Sequence, residues 1–257
     1  MMDTMKKRPL LQLYKKEIYT KRLEIIGILA CVLLWNVLVI IKPWWFTYRK
    51  EDVVGISMSL PAGIIFVWTI WIGFKSISYE WDNNTCYLLL SLPISGFKVL
   101  TVKILSILSI LLVFIVEVCG AALVVDLMKR SDSIHIDIPS FGACMAFIAD
   151  IFLVLLYMLV SAAIMVILCQ FAYIASRLVN RFSKVFAVVA GGAGLWVFMR
   201  GTSILTYLLN LLHLPKIKIL IGEGDGFISL SPIIATLLLS FGLLYVTAKL
   251  FDHVVEV

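Results

Sequence analysis

Long apolar blocks alternate with short polar connections along this chain. The blocks cover residues 23–41, 53–74, 99–125, 141–171, 185–212 and 231–250. A helix needs about 20 apolar residues to cross the hydrocarbon core of a bilayer. Only helices and closed barrels cross it, because lipid cannot satisfy backbone polar groups. Barrel strands alternate polar and apolar residues, which these blocks do not. The pattern therefore predicts an all-α polytopic membrane protein with six transmembrane helices.

The segment before the first block mixes basic and apolar residues. Within residues 9–22, Leu10, Leu13, Tyr14 and Ile18 recur at helical spacing, with cations between them. This pattern is typical of a short amphipathic helix that lies at the membrane interface. The alternative is a basic topology signal without a fixed structure.

Lysine and arginine are distributed unevenly between the connections. Fourteen lie in or close to the N-terminal segment, the second and fourth connections and the C-terminal tail, with Lys103 and Lys249 counted as bordering residues, whereas seven lie in the other connections. Basic residues accumulate on the cytoplasmic side of a membrane protein, so we expect both termini in the cytoplasm. The predicted regions are an N-terminal segment (1–22), a transmembrane domain (23–250) and a cytoplasmic tail (251–257).

Composition agrees with a membrane protein and argues against nucleic acid as a partner. The 257 residues are 62% hydrophobic and 15% charged, whereas soluble domains carry about 25% charged residues. The net charge of +6 comes mainly from basic residues beside apolar blocks, where orientation and lipid headgroups account for it. The five cysteines and three histidines show no metal-ligand spacing, so we predict no metal site.

The connection between the second and third blocks is polar at first and apolar later. Residues 75–98 read KSISYEWDNNTCYLLLSLPISGFK and lie on the predicted cytoplasmic side. Asp82, Asn83 or Asn84 can cap a short helix that ends near Leu92. Such a helix at the membrane surface can offer one face to a soluble partner. In the alternative interpretation, its leucines simply lie in lipid.

Several residues of this region form a recognisable pattern. They are Glu80, Thr85, Leu89, Leu90, Ser91, Leu92, Pro93, Ser95 and Lys103. This order resembles ABC-2 type transporter permeases, the membrane subunits of bacterial ABC exporters. That family carries an acidic residue after the second span, a Gly-Thr pair, a Leu-Leu-Ser-Leu-Pro run and a lysine early in the third span. The present chain departs from it at Asn84, where glycine is usual, and at Gly96, where a larger residue is common.

The resemblance implies a coupling helix at residues 82–92 that docks on a separate ABC ATP-binding subunit. It also implies two ATP-binding subunits holding ATP and Mg²⁺, a second copy of this permease or a related permease, and a bacterial cytoplasmic membrane with its lipids as the location. The chain itself would be non-catalytic and without a cofactor. Coupling would fall to Glu80, Trp81, Asp82, Thr85, Leu88, Leu89, Leu92 and Pro93.

The residues themselves argue that ATP binds elsewhere, because the chain lacks a GxxxxGK[ST] phosphate loop. The glycine-rich run IGEGDG at residues 221–226 has no following Lys-Ser/Thr pair. Its two acidic residues would also repel phosphate. We predict a turn-rich outer loop there.

Three ionisable residues lie within the apolar blocks, where a charge is costly and suggests a function. They are Glu117, Asp150 and Arg200, at similar predicted depths. In the structural interpretation, Arg200 pairs with one of the acids. In the functional one, an acid faces a cavity and contacts a cationic part of the cargo. The small residues Ala187/Gly191 and Ala190/Gly194 in the same block as Arg200 favour close helix packing.

The sequence favours the permease of an ATP-driven exporter of a peptide, lipid-like or drug-like amphipathic cargo. One alternative is an ion-coupled transporter that acts alone, with Glu117 and Asp150 as a relay. Another is a membrane immunity protein that needs no ATPase.

Overall fold

The structure is a computed structural model that describes residues 2–41, 53–83, 95–130, 141–178, 183–212, 216–221 and 224–256. Seven helices and two strands follow one another along these segments. They are α1 (Met2–Thr20), α2 (Arg22–Ile41), α3 (Val53–Asp82), α4 (Gly96–Arg130), α5 (Phe141–Arg177), α6 (Ser183–Asn210), β1 (Lys216–Ile221), β2 (Gly224–Ser229) and α7 (Leu230–Glu256).

Helices α2 to α7 are each long and apolar enough to cross a membrane. The chain is therefore a multi-pass α-helical membrane protein, as its apolar blocks predicted.

Several helices are longer than those blocks: α3, α4 and α5 have 30, 35 and 37 residues. At 1.5 Å per residue they measure roughly 45, 52 and 55 Å, against a hydrocarbon core of about 30 Å. The apolar pattern marks only the part of a helix that is suited to lipid. It therefore did not predict the polar helix ends, including residues 251–256 of α7, which were predicted to form a tail.

Helix α1 covers most of the predicted amphipathic segment. Leu13 is buried and Tyr14 is half-buried, whereas Lys15 and Lys16 are exposed. The Tyr14 hydroxyl donates a hydrogen bond of 2.8 Å to Ser109 Oγ on α4. The apolar stripe of α1 thus faces the protein at this point, and a location at the membrane interface stays a prediction.

The chain divides into two compact units that share α3 and α4. The first contains α1, α2, most of α3 and the longer, C-terminal part of α4. Its core includes Val32, Ile107 and Phe114, which are fully buried. Trp68 on α3 meets Phe114 edge-on, with ring centroids 5.1 Å apart. Edge-to-face aromatic pairs add stability beyond the area they bury.

The second unit contains the end of α3, the start of α4, α5, α6, the strands and α7. Within this unit, the helices approach one another closely where small residues lie at their contacts. A Cβ on Gly73 would lie 2.9 Å from Cys169 Cβ, and a Cβ on Gly191 would lie 3.4 Å from Ala172 Cβ. Gly194 likewise faces the ring of Phe171. The predicted small-residue packing of α6 therefore occurs within the subunit, against α5.

Residues 221 and 224–226, from the run where we predicted a turn-rich loop, lie in an antiparallel pair of strands. Lys216 pairs with Ser229 at one end of the ladder, and Ile221 pairs with Gly224 at the other. The predicted all-α class therefore did not include this short two-stranded hairpin. The alternation of lysine and isoleucine at the start of KIKILI is the strand signal that the sequence analysis passed over.

Candidate functional site

The helices on either side of residues 84–94 are joined by a buried ion pair. Glu80 lies near the end of α3 and Lys103 lies two turns into α4. The Lys103 ammonium is 3.2 Å from Glu80 Oε1, and both side chains are only 3% exposed. Lys103 Nζ also donates a 2.9 Å hydrogen bond to the Ser76 carbonyl oxygen. Both residues belong to the motif that carries the family resemblance, and the structure brings them into contact.

This pair lies in a small buried polar network. Gln170 on α5 is fully buried, and its Nε2 donates to the Ser76 hydroxyl at 3.4 Å. The Ser76 hydroxyl in turn donates to the Gly73 carbonyl oxygen. Moving two charges out of water costs free energy. The attraction between the charges offsets this cost only when the geometry and further hydrogen bonds are favourable. The network thus links α3, α4 and α5 at one defined register.

An aromatic cluster surrounds Trp81, the residue after Glu80. The Trp81 ring meets Phe251 of α7 edge-on, with centroids 5.6 Å apart, and Tyr173 of α5 at 6.2 Å. The Arg177 guanidinium lies 5.0 Å from the Tyr173 ring centroid and 6.0 Å from that of Trp81. It also donates a hydrogen bond to the Tyr173 hydroxyl. Trp81 thereby connects α3 to both α5 and α7.

Gly96, the first residue of α4, is in close contact with α7. Its backbone N–H donates a 3.1 Å hydrogen bond to Asp252 Oδ1. A carboxylate that accepts from a free N–H at a helix N-terminus also interacts favourably with the helix dipole. A Cβ on Gly96 would lie 2.2 Å from the same oxygen and 2.9 Å from the Phe251 ring. This contact accounts for glycine at a position where the ABC-2 family commonly has a larger residue.

The predicted coupling residues divide into three groups. Glu80 is 2% exposed, so it faces the protein interior. Trp81 is half-buried, and the side chain of Asp82 is 65% exposed. The remaining residues lie outside the described part of the chain, as does most of the predicted coupling helix 82–92. They are Thr85, Leu88, Leu89, Leu92 and Pro93.

Asp82 and Asn83, two of the residues predicted to cap the coupling helix, lie at the end of α3. Asp82 is the last residue of α3. The Asn83 backbone N–H and side-chain amide both donate to the Tyr79 carbonyl oxygen, at 3.2 and 2.8 Å. These two residues therefore end α3, and a helix that begins after them stays a prediction. Asparagine is suited to both ends of a helix, so the sequence alone could not decide between them.

The three intramembrane charges show different environments. Glu117 on α4 is half-buried, and its Oε2 atom has no hydrogen-bond partner among the described residues. Asp150 lies in α5, but its side chain is outside the described part of the structure. Arg200 on α6 is exposed, and its guanidinium lies 6.0 Å from the Trp196 ring centroid. No ion pair between described residues involves Arg200.

Sequence reasoning missed four side chains of this site. Gln170 could have been selected from the sequence as a site residue, because it is a lone amide side chain in an apolar block. Arg177 was counted only among the basic residues of the fourth connection, which bear on orientation, and Phe251 and Asp252 lie where a tail was predicted. No sequence pattern shows that Arg177, Phe251 and Asp252 lie around Trp81 and Gly96, because they come from helices far apart in the chain.

Comparison of the chain with protein-family models, curated proteins and solved structures gives no match.

Proposed function

We propose that this chain is the membrane permease subunit of an ATP-driven ABC exporter, energised by a separate ATP-binding subunit. The observation that carries the proposal is the buried Glu80–Lys103 pair at the base of residues 84–94. It joins the helices on both sides of the segment that resembles an ABC-2 coupling helix. Six apolar helices are the second support.

A coupling segment must be attached firmly to the helices that it moves. Here the α3 side is held by Glu80 and Trp81, and the α4 side by Gly96 and Lys103. Through these contacts, a displacement of residues 84–94 would reach α3, α4, α5 and α7 together. Packed elements respond to such a displacement as rigid bodies, because packed cores do not deform continuously.

The predicted coupling residues would have different roles. Glu80 is a positioning residue, because it is buried and paired. Asp82 is exposed and available to a soluble partner. Leu88 and Leu89 in the apolar half of the connection would supply the contact with the ATP-binding subunit.

The complete transporter would contain two permeases and two ATP-binding subunits, with ATP and Mg²⁺ in the latter. ATP binding would draw the two coupling helices together, and the spans would change from inward-accessible to outward-accessible. A lipid-accessible route between long apolar helices suits a peptide, lipid-like or drug-like amphipathic cargo.

The test is site-specific cross-linking of the full chain in its native host. A photo-cross-linking amino acid at Leu89 should capture a protein with a phosphate loop that binds an ATP analogue. The same amino acid at Leu11, which is 55% exposed on α1, should not capture it. Leu89→Asp should abolish equimolar co-purification of this ATPase, and Leu11→Asp should preserve it.

The opposite result would be the absence of any phosphate-loop protein at position 89, with none co-purifying in mild detergents and nanodiscs. That result would reject the permease proposal and favour an immunity protein or a transporter that acts alone. Glu117 Oε2, which has no hydrogen-bond partner among the described residues, is the observation that favours the transporter that acts alone, because proton relays use intramembrane acids.

A further inference from the structure

Helix α6 carries a line of polar and aromatic residues on the face that it turns away from its neighbours. Gly194 faces α5, and Gly201 faces α7. On the opposite side, four exposed residues follow one another at intervals of four, three and four positions, which places them in one line along a helix. They are Trp196, Arg200, Ser203 and Tyr207, called here the α6 stripe.

Arg200 lies deep within α6. It is roughly 15 Å from Asn210, at the nearer end of the helix, and roughly 22 Å from Val185, at 1.5 Å per residue. An arginine near the end of a span can extend its charged group to the membrane surface. The Arg200 guanidinium instead lies 6.0 Å from the ring centroid of Trp196, which is one turn farther from the nearer end. The charge is therefore directed into the hydrocarbon core, which is about 30 Å thick.

The neighbouring helices of the second unit do not bring an acid to Arg200. The contacts of Gly194 with α5 and of Gly201 with α7 set the level of Arg200 on both helices. Measured along the helices, Asp150 of α5 and Asp252 of α7 both lie roughly 20 Å from that level. No ion pair between described residues involves Arg200. Because an intramembrane arginine almost always pairs with another group, the counter-ion should come from outside the second unit.

The α6 stripe has the chemistry of a site for an anion on an apolar body. A guanidinium binds the two oxygens of a carboxylate or a phosphate through parallel hydrogen bonds. Ser203 has a small side chain and leaves space beside Arg200. Apolar surface for the rest of the ligand comes from Trp196, Val197 and Ile204, which are 62, 61 and 62% exposed.

We propose that the α6 stripe binds the anionic group of the cargo, a carboxylate or a phosphate at the end of an apolar body. Arg200 pairs with the anion, and Trp196 contacts the apolar body. A resident lipid does not supply this anion, because its phosphate lies outside the hydrocarbon core. The inference rests on the proposed function for the meaning of cargo, and it narrows the amphipathic cargo to an anionic one.

The experiment is photolabelling of the purified full-length chain in phosphatidylcholine nanodiscs, without any ATP-binding protein. Three probes share a diazirine-bearing dodecyl chain and end in a phosphate, a carboxylate or a trimethylammonium group. Mass spectrometry locates the labelled residues. The two anionic probes should label the α6 stripe saturably, and excess dodecyl phosphate should displace them. The cationic probe should give no saturable labelling there, because Arg200 repels it.

Variants test the guanidinium itself. Arg200→Gln should raise the probe concentration for half-saturation at least about tenfold, because hydrogen bonds between charged groups are among the strongest in proteins. Arg200→Lys should weaken labelling less, because it keeps the charge. Lys249→Gln is the matched control and should change nothing. The Lys249 ammonium also lies over an aromatic ring, 5.7 Å from the Tyr245 centroid, but near the end of its span.

Three outcomes would overturn the inference: equal labelling of the stripe by anionic and cationic probes, no saturable labelling by any probe, or unchanged labelling of folded Arg200→Gln. Monodisperse elution and helical circular dichroism establish folding. If Arg200→Gln does not fold, displacement from the native chain by dodecyl phosphate but not by dodecyltrimethylammonium decides. Saturable anionic labelling without a captured ATPase at Leu89 would support the site and reject the permease proposal. A captured ATPase without labelling would reject the site alone.

Discussion

The Glu80–Lys103 pair gives the sharpest test of the structure. We would replace Glu80 by Gln and Lys103 by Met, separately and together, so that shape is largely conserved while charge is removed. The two groups are 3.2 Å apart and 3% exposed. Each single change therefore removes the ion-pair partner at 3.2 Å from a charge that is almost fully buried.

Removing one partner of a buried ion pair costs about 3–5 kcal/mol. A loss of this size changes the unfolding equilibrium by about two to four orders of magnitude. Lys103 keeps its hydrogen bond to the Ser76 carbonyl oxygen, so Glu80→Gln should lie nearer the lower end of that range. The double variant removes both charges of the pair and should be much less destabilised than the two single effects combined.

Unfolding titrations in mixed detergent micelles measure these free energies. Asp82→Asn is the internal control, because Asp82 lies 3.9 Å from Arg177 with both side chains partly or largely exposed. Exposed ion pairs contribute about 0–1 kcal/mol. The reasoning is refuted if Glu80→Gln costs no more than Asp82→Asn, or if the Glu80 and Lys103 effects simply add.

Two further predictions test other contacts. Gly96→Ala should destabilise the protein by about 1–3 kcal/mol, because its new Cβ would meet Asp252. Gly63→Ala, in open space on α3, should be neutral or stabilising by up to about 1 kcal/mol. Equal effects in the same titrations would contradict the contact. Tyr14→Phe should weaken α1 attachment by about 0.5–1.5 kcal/mol, seen as faster amide exchange in α1. Adding Ser109→Ala should cause no comparable further loss, whereas an additive loss would disprove the hydrogen bond.

The number and type of the spans could be predicted from sequence because lipid imposes a strong and local rule. A helix that crosses a bilayer must be apolar over about 20 residues, and this requirement is visible without any tertiary contact. Helix ends are not under the same rule. The sequence offered Asp82, Asn83 or Asn84 as the cap of a following helix and did not show that α3 extends as far as Asp82.

The site could be predicted only in part. The family resemblance selected Glu80 and Lys103 as separate positions, but nothing in their spacing of 23 residues showed that they form a buried pair. Gly96 was noticed as a departure, and its physical cause lies in Asp252, which is 156 residues away. Contacts between distant residues depend on helix packing, which the local pattern does not encode.

The amino-acid sequence by itself determined that this is a six-span helical membrane protein, because apolar length decides membrane insertion. The tertiary structure alone decided which polar side chains are buried together and which face outwards. Glu80 became a paired interior residue and Arg200 an exposed one, although both are charged residues in or beside apolar blocks. The physical reason is that the cost of a charge depends on its counter-ion and solvent exposure, and both are set by the packing of the helices.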